Sequence, residues 1–356
     1  MANIDVLLKE MVHSGASDLH MVPGLPPMLR LKGDLAPTNH KPLSHKVNEQ
    51  LFFEMMTPEQ QSLLQSTLEL DIAYEIEGLA RFRCNFFYQL RGVSGVFRQI
   101  PTVIQSLDDL GMPKGVQRIM EIRKGLILVT GPTGSGKSTT LAAIINQINE
   151  TREQHIITIE DPLEFVHRNK RSLITQREIG AHAHDFADAL RVASREDPDI
   201  ILIGEMRDLE TISLALTCAE LGILVFGTLH TNSAVKSIDR IINEFPASQQ
   251  NQIRSMLSES LKAVLAQQLV KTADGSGRCA AVEILISNPG VGNLIREAKL
   301  TQIASVIYTG TAEGMQTMDQ ALQQLVDSGR ITPEDAYWKA IDKESFANQC
   351  KDEILA

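Results

Sequence analysis

Residues 126–140 read Leu126-Ile-Leu-Val-Thr-Gly-Pro-Thr-Gly-Ser-Gly-Lys-Ser-Thr-Thr140, an apolar run that passes through a glycine-rich turn into a helix-forming segment. Strand, loop and helix in this order are the context in which Gly-x-x-x-x-Gly-Lys-Ser holds nucleotide phosphates. Glycines let several backbone N–H groups point at one anion, and the helix that begins at Lys137 adds the positive end of its dipole. The stretch therefore predicts a nucleoside triphosphate site, against the alternative of a chance match in a turn of small residues.

The residue types of the loop also indicate what is bound. Lys137 is long enough to reach the β- and γ-phosphates, and the Ser138 hydroxyl is a ligand suited to Mg²⁺. We therefore expect ATP and Mg²⁺ as cofactors. The predicted nucleotide contacts in the loop are Gly131, Pro132, Thr133, Gly134, Ser135, Gly136, Lys137, Ser138 and Thr139.

Length and composition predict a globular protein of two or three domains. The chain has 356 residues, of which 43% are hydrophobic and 22% charged. A net charge of −10 argues against a nucleic-acid partner. No apolar run approaches the roughly 18 residues of a membrane span, and the first residues lack the layout of a signal peptide. The four cysteines form no C-x-x-C pair, so we expect a cytoplasmic protein with reduced thiols and no structural zinc.

Residues 1–100 are predicted to form a small α+β domain with an antiparallel sheet. Apolar side chains fall on one helical face in the first segment, a proline opens a later helix, and three segments alternate between apolar and polar residues. The predicted elements are a helix at 4–14, strands at 17–21 and 28–31, a helix from Thr57-Pro58, and strands at 70–76, 80–88 and 93–100.

Residues 101–112 are interpreted as a linker and 113–356 as a second domain of α/β type. Apolar strands alternate with helices from 126 to 228, which predicts a mostly parallel sheet covered on both faces. From about residue 233 the pattern is interpreted as helical, with a single strand near 280–286 and a helical region at about 290–356. The segment Ser258–Leu269 is predicted to be a helix.

Carboxylates follow two of the predicted strands. Glu160 and Glu164 come after the strand at 155–159, and Glu205 follows Ile200-Ile-Leu-Ile203 in the layout of a Walker B element. Ligands of open α/β sheets bind at such strand ends, where a carboxylate polarises an attacking water or holds Mg²⁺. Solvated acidic loops are the alternative. Gly204 stands where many P-loop enzymes have Asp, so Glu205 is expected to serve the metal.

A histidine and three arginines complete the candidate residues. His230 comes two residues after the strand at 223–228 and is interpreted as a contact that reports the γ-phosphate, or else as a structural group. Arg81, Arg83 and Arg98 lie on neighbouring strands of the first domain. They either stabilise charge on a transferring phosphoryl group or pair with nearby carboxylates.

Taken together, these motifs resemble the type II/IV secretion ATPase superfamily, and most closely its type IV pilus retraction (twitching motility) ATPases. The resemblance covers nearly the whole chain. The segments that carry it are Gly15–His20, Gly131–Ser138, Thr158–Glu164, Arg195–Asp199, Gly204–Asp208, Gly227–Ser233, Asn288–Glu297 and Gly314–Asp319.

The resemblance implies a hexameric ring whose subunits carry a PAS-like N-terminal domain and a RecA-like core. It implies that Glu164 is the catalytic glutamate with Glu160 in support, and that Glu205 and His230 belong to the Walker B and histidine elements. Arg81, Arg83 and Arg98 would reach the nucleotide near a domain and subunit interface. The implied partners are further copies of this chain, an inner-membrane pilus platform protein and a paralogous ATPase, with the motor peripheral at the pilus base.

Two departures from the family pattern bear on this interpretation. The retraction motif usually reads Ala-Ile-Arg-Asn-Leu-Ile-Arg-Glu, whereas this chain has Gly290, Val291 and Gly292 at its first three positions. Assembly ATPases of the superfamily carry a four-cysteine metal site and a longer N-terminus, neither of which is seen in this sequence. The alternatives are an assembly or secretion ATPase, a ring subunit that does not hydrolyse ATP, and a nucleic-acid translocase.

Overall fold

The structure is a computed structural model that describes residues 3–31, 33–100 and 103–350. The chain divides into two compact units, Met1–Val103 and Ile104–Ala356. Pro101 and Thr102, at the start of the predicted linker, lie outside the described residues, as do the last six residues of the predicted helical region. The domain boundaries drawn from the sequence remain predictions.

The N-terminal unit contains an antiparallel sheet in the strand order β3-β2-β1-β6-β5-β4, six strands within the described residues. Its elements are α1 (Asp5–His13), β1 (Asp18–Met21), β2 (Met28–Leu31), β3 (Asp34–Pro37), α2 (His45–Phe53), α3 (Pro58–Thr67), β4 (Glu69–Ile76), β5 (Ala80–Gln89) and β6 (Gly92–Ile100).

The core of this unit follows from the alternation along β5. Phe82, Cys84 and Phe86 face inward and are fully buried, whereas Arg83 between them is exposed. Phe86 packs with its ring centroid 4.9 Å from that of Phe52 on α2. The helices therefore cover one face of the sheet.

The second unit alternates strands and helices before it ends in a helical region. Its elements are α4 (Gly115–Met120), β7 (Gly125–Thr130), α5 (Lys137–Thr151), β8 (His155–Glu160), β9 (Leu173–Glu178), α6 (Phe186–Ala193), β10 (Ile200–Ile203), α7 (Leu209–Glu220), β11 (Leu224–Leu229), α8 (Ala234–Asn243), α9 (Ala247–Ser260), β12 (Leu261–Lys271), β13 (Arg278–Ile286), α10 (Pro289–Arg296), a 3₁₀ turn (Leu300–Gln302), α11 (Ile303–Thr309), a second 3₁₀ turn (Gly310–Glu313), α12 (Met318–Asp327), α13 (Pro333–Lys339) and α14 (Glu344–Ala347).

The sheet of this unit has the order β13-β12-β7-β11-β10-β8-β9. Every neighbouring pair is parallel except β12 with β13, which form an antiparallel hairpin. Residues of β7, β10 and β11 are buried throughout because helices cover both faces. Within the described ranges, no helix is both long and apolar enough to cross a membrane.

The prediction of a helix at Ser258–Leu269 was wrong. Helix α9 ends at Ser260, and the residues that follow form β12 between β7 and β13. Leu261 and the run from Ala263 to Gln267 are buried, and a short apolar run buried on both faces has no periodicity that separates strand from helix. The sequence interpretation also missed β9, an edge strand with only one residue buried.

Candidate nucleotide-binding site

The phosphate loop joins the end of β7 to the start of α5. Gly136 immediately precedes the helix with φ of 86°, a left-handed conformation that favours glycine. At Gly131, a Cβ atom would lie 2.3 Å from the carbonyl oxygen of Gln267 on β12, so only glycine fits there. Glycine is therefore favoured at position 136 by the backbone conformation and required at position 131 by the close approach of β12.

Lys137 is held across the loop that it follows. Its Nζ donates to the carbonyl oxygens of Gly131 at 2.8 Å and Pro132 at 3.2 Å. Burial lowers the pKa of Lys137, while the negative charge of Glu205 acts in the opposite direction. The ammonium group is thus placed over the concave side of the loop, facing the strand ends that carry the acidic side chains.

Beside the loop lies a cleft of about 220 Å³ within the second unit. It is bounded by the loop, the start of α5 and the carboxyl ends of the neighbouring strands. Eight of the predicted nucleotide-binding and catalytic residues line it, namely Thr133, Gly134, Lys137, Ser138, Glu160, Glu164, Glu205 and His230. Because β7, β11, β10 and β8 are consecutive in the sheet, residues as far apart in the chain as Thr133 and His230 meet at one edge.

Glu160 lies at the end of β8 in a desolvated position. Burial raises its pKa to about 7, although the Thr158 hydroxyl donates to its Oε1 at 2.7 Å. Its Oε2 accepts the backbone N–H of Glu164 at 3.4 Å. The Asp161–Pro162 peptide between them is cis, and the Glu164 side chain is exposed at the cleft. Glu160 therefore shapes the turn that presents Glu164.

Glu205 follows β10 and is paired on both sides. Its Oε2 lies 2.7 Å from a guanidinium nitrogen of Arg207, and its Oε1 lies 3.2 Å from Nε2 of His230. Burial alone would raise the pKa of Glu205, but Arg207 and His230 outweigh that effect and lower it. Glu205 is therefore a carboxylate at neutral pH, and His230 is in direct contact with it.

The glycine at position 204 follows from the approach of β10 to β8. A Cβ atom there would lie 3.2 Å from both the Glu160 Cα and the Ile159 carbonyl oxygen. An aspartate at this position would press against the strand that carries Glu160. The departure from the common Walker B pattern is thus explained by the close approach of these two strand ends.

The three arginines belong to the sheet of the N-terminal unit. Arg83 on β5 lies opposite Arg98 on β6 in the register. Arg83 contacts Asp71 at 3.9 Å, and the Arg98 Nε donates to the buried Asp18 at 2.8 Å. These ion pairs are the structural alternative that the sequence left open. A nucleotide contact of Arg81, Arg83 or Arg98 remains a prediction.

The structure adds three side chains that sequence reasoning did not assign to the site. Arg207, two residues after Glu205 in the chain, pairs with its carboxylate. Thr158 supports Glu160, and its place two residues earlier on the same strand was an available signal because alternate residues share a face. His167 lines the cleft, and burial lowers its pKa to about 4, so the ring is neutral at pH 7. No local pattern marked His167, which is brought in by the loop after β8.

A glycine-rich loop between strand and helix, with acidic side chains on adjoining strand ends, defines a P-loop nucleotide-binding core. The chain belongs to the family described as type II/IV secretion system protein, whose model matches residues 2–340.

Two curated relatives align with most of the chain. It is 52% identical over 344 residues to the type IV pilus retractation ATPase PilT of Pseudomonas aeruginosa, which covers 97% of this chain and all of that protein. It is 56% identical over 321 residues to the twitching motility protein of Neisseria gonorrhoeae, which covers 90% of this chain and 86% of that one.

A solved structure shares the fold. The crystal structure of the pilus retraction motor PilT with bound ADP superposes with a TM-score of 0.90 at 43% sequence identity, covering 97% of this chain and 98% of that chain. This likeness confirms the fold class predicted from the sequence, with a small α+β domain of PAS-like type ahead of a RecA-like α/β core and a helical C-terminal region.

Proposed function

We propose that this protein is a hexameric ATPase motor that hydrolyses ATP to power retraction of type IV pili and so twitching motility. The observation that carries the proposal is the cleft in which the phosphate loop faces the acidic strand ends. Support comes from relatives named for pilus retraction that align over nearly the full chain, and from the ADP bound in a solved homologue of the same fold.

In this proposal, the loop amides and Lys137 hold the phosphates of ATP. The hydroxyl of Ser138 and the carboxylate of Glu205 are hard oxygen donors at the same cleft, which fits them to hold Mg²⁺ directly or through water. The metal would neutralise charge on the phosphates. Lys137, held by two carbonyl oxygens of the loop, turns to the phosphates when they are present.

Glu164 orients the attacking water for in-line displacement of the γ-phosphate. It is exposed at the cleft, and the Glu160 carboxyl accepts its backbone N–H and so fixes the turn that presents it. His230 contacts Glu205, and thereby couples the state of the metal ligand to the loop after β11. Arg81, Arg83 and Arg98 approach the nucleotide from an N-terminal unit and carry the change in phosphate charge to that unit.

The partners in this proposal are five further copies of the chain, an inner-membrane pilus platform protein and a paralogous ATPase. The motor would act in the cytoplasm, peripheral at the inner-membrane base of the pilus. Nucleic acid is not among the expected partners because the net charge is −10.

The test is a strain in which Lys137→Ala replaces the native chain. Loss of ATP hydrolysis is expected to leave cells with more surface pili and no twitching. Cells without pili would instead identify an assembly ATPase of the same superfamily and overturn retraction. Wild-type piliation together with normal twitching would overturn the motor function altogether. Phosphate release by the purified protein separates either outcome from a ring subunit that does not hydrolyse ATP.

A further inference from the structure

Gln267 lies against the phosphate loop although it is far from it in sequence. Strand β12 runs parallel to β7, with Ala266 opposite Thr130, so Gln267 continues beside the loop where β7 ends. Its carbonyl oxygen is the atom that a Cβ on Gly131 would strike. Gln267 itself is 2% exposed and does not line the cleft. Any influence on bound nucleotide must therefore pass through the loop.

The side-chain amide of Gln267 makes two hydrogen bonds to the nucleotide-binding segment. Its Nε2 donates to the carbonyl oxygen of Ser135 at 2.7 Å, and its Oε1 accepts the hydroxyl of Thr140 at 2.8 Å. Ser135 is in the loop, and Thr140 is in the first turn of α5. Thr140 is 1% exposed, so both bonds are shielded from water.

The chemistry of the two partners fixes which way the amide points. A backbone carbonyl oxygen only accepts hydrogen bonds, so the NH₂ group must face Ser135. The hydroxyl of Thr140 then donates to the remaining oxygen. A Cβ on Gly136 would lie 2.9 Å from the Gln267 Nε2, so the absence of a side chain there leaves room for the amide.

The hydrogen bond to Ser135 also orients the next N–H group. In a planar trans peptide the C=O and N–H bonds point to opposite sides. Holding the Ser135 carbonyl toward β12 therefore turns the N–H of Gly136 away from β12. Since loop N–H groups are what grip a phosphate, a rotation of this peptide would replace a donor by a carbonyl oxygen facing an anion.

We infer that Gln267 is a positioning residue for nucleotide binding: its amide clamps the Ser135–Gly136 peptide to the first turn of α5 and keeps the loop in its phosphate-binding form. The inference rests on the proposed nucleotide site and adds to it a residue outside the cleft. Loop amides contact phosphate before and during the reaction, so loss of the clamp weakens binding more than turnover.

The experiment compares Gln267→Met with Gln268→Met in the full-length protein, using fluorescent ADP titrations and steady-state phosphate release. Methionine keeps the unbranched shape without the amide. Gln268 is the matched control because it is the next residue on the same strand and lines a separate groove. We expect Gln267→Met to raise the Kd for ADP and the KM for ATP about tenfold, with kcat within about threefold of wild type. Gln268→Met should change neither.

Three further variants separate hydrogen bonding from packing. Gln267→Glu keeps the volume but places an acceptor against the Ser135 carbonyl, so we expect it to bind ADP more weakly than Gln267→Met. Thr140→Val removes the hydroxyl that donates to Gln267, so it should weaken ADP binding as Gln267→Met does. Thr140→Ser keeps a hydroxyl and should bind ADP like the wild type. These two variants test the inference even if a Gln267 variant fails to fold.

Three results would overturn the inference. They are equal affinity in Gln267→Met and Gln268→Met, a loss confined to kcat, or a Gln267→Glu protein that binds like wild type. The Lys137→Ala protein serves as the separate reference for the nucleotide site itself. If Lys137→Ala binds ADP normally, the proposed nucleotide site is wrong. If Lys137→Ala loses ADP binding but the Gln267 variants bind normally, the nucleotide site is retained and the role of Gln267 is rejected.

Discussion

The protonation of Glu160 follows from its half-buried position at the end of β8, in the wall of the cleft. Its pKa is about 7 in the folded chain and about 4.5 in an ordinary setting, mainly because burial disfavours the charged form. As pH rises from 4.5 to 7, the unfolded chain releases this proton before the folded chain does. The contribution of Glu160 to stability is therefore present below pH 4.5 and is lost as pH rises through 7.

We predict that Glu160→Gln removes the loss of stability at high pH, so that the variant is more stable than wild type at pH 8. Each unit of pKa difference corresponds to about 1.4 kcal/mol. The measurement is urea unfolding at pH 5, 6, 7 and 8, expressed as the difference between variant and wild type. That difference cancels the opposite effect of His167, whose pKa is lowered. Glu220→Gln, at an exposed position, is the control and should show the same change of stability with pH as the wild type. A Glu160→Gln protein that also shows the wild-type change would contradict the prediction.

Glu164 offers a test of the catalytic assignment at a single carboxylate. The side chain is exposed at the cleft, so Glu164→Gln is expected to leave folding and ADP affinity close to wild type. Removal of the group that orients water is expected to lower kcat at least about 100-fold. Phosphate release and fluorescent ADP titration measure the two effects separately. Unchanged kcat in Glu164→Gln would assign the water to another residue.

For individual residues, the sequence predicts those whose role is indicated by the residues next to them in the chain. Lys137 and Ser138 follow a glycine-rich turn, and Glu205 follows an apolar strand, so local order alone places them. Arg207 and Gln267 carry no such mark. Arg207 contacts Glu205 because the turn after β10 folds back. Gln267 contacts Ser135 because β12 lies next to β7 in the sheet.

Among the elements, the ends of β8 and β10 are held close by Gly204. A Cβ there would approach the backbone of Ile159 and Glu160 at 3.2 Å, which forces a shift of a few tenths of an ångström. We predict that Gly204→Ala lowers the free energy of unfolding by about 1–3 kcal/mol and lowers kcat by displacing Glu160.

The matched control for this change is Gly277→Ala. Gly277 has open space around the position of a Cβ, and its φ lies outside the left-handed range. Thermal unfolding and phosphate release of the two proteins give the comparison. Equal stability of Gly204→Ala and Gly277→Ala would show that the strand ends adjust without cost.

The prediction of elements succeeds where glycine or a charged residue bounds an apolar run and fails where polar residues extend the run. Helix α5 and strands β7, β10 and β11 lie close to their predicted positions because apolar runs are bounded by glycine or charge. Strand β12 was taken for a helix because its apolar run extends into glutamines that are themselves buried or half-buried. Its true neighbours, β7 and β13, are set by the sheet order and not by local sequence.

For the molecule as a whole, each unit has its own hydrophobic core. One buried cluster is formed by N-terminal residues such as Phe52 and Phe97, and others are formed by second-unit residues such as Ile127 and Phe226. All residues that line the nucleotide cleft belong to the second unit. The second unit is therefore expected to fold and bind nucleotide by itself.

We predict that a fragment of residues 104–356 binds ADP with a Kd within about tenfold of the full chain. The difference in Kd between the fragment and the full chain measures what Arg81, Arg83 and Arg98 contribute to ADP binding. Circular dichroism and fluorescent ADP titration provide the readouts, with Lys137→Ala in the same fragment as the non-binding control. A folded fragment without ADP affinity would place an essential part of the site in residues 1–103.

The pairing of β7 sets an order of events during synthesis. This strand carries the phosphate loop, but its two neighbours in the sheet, β11 and β12, begin only at Leu224 and Leu261. A growing chain therefore exposes the loop long before either flanking strand has left the ribosome. The contacts of Gln267 with the loop can therefore form only after β12 has been synthesised and has paired beside β7.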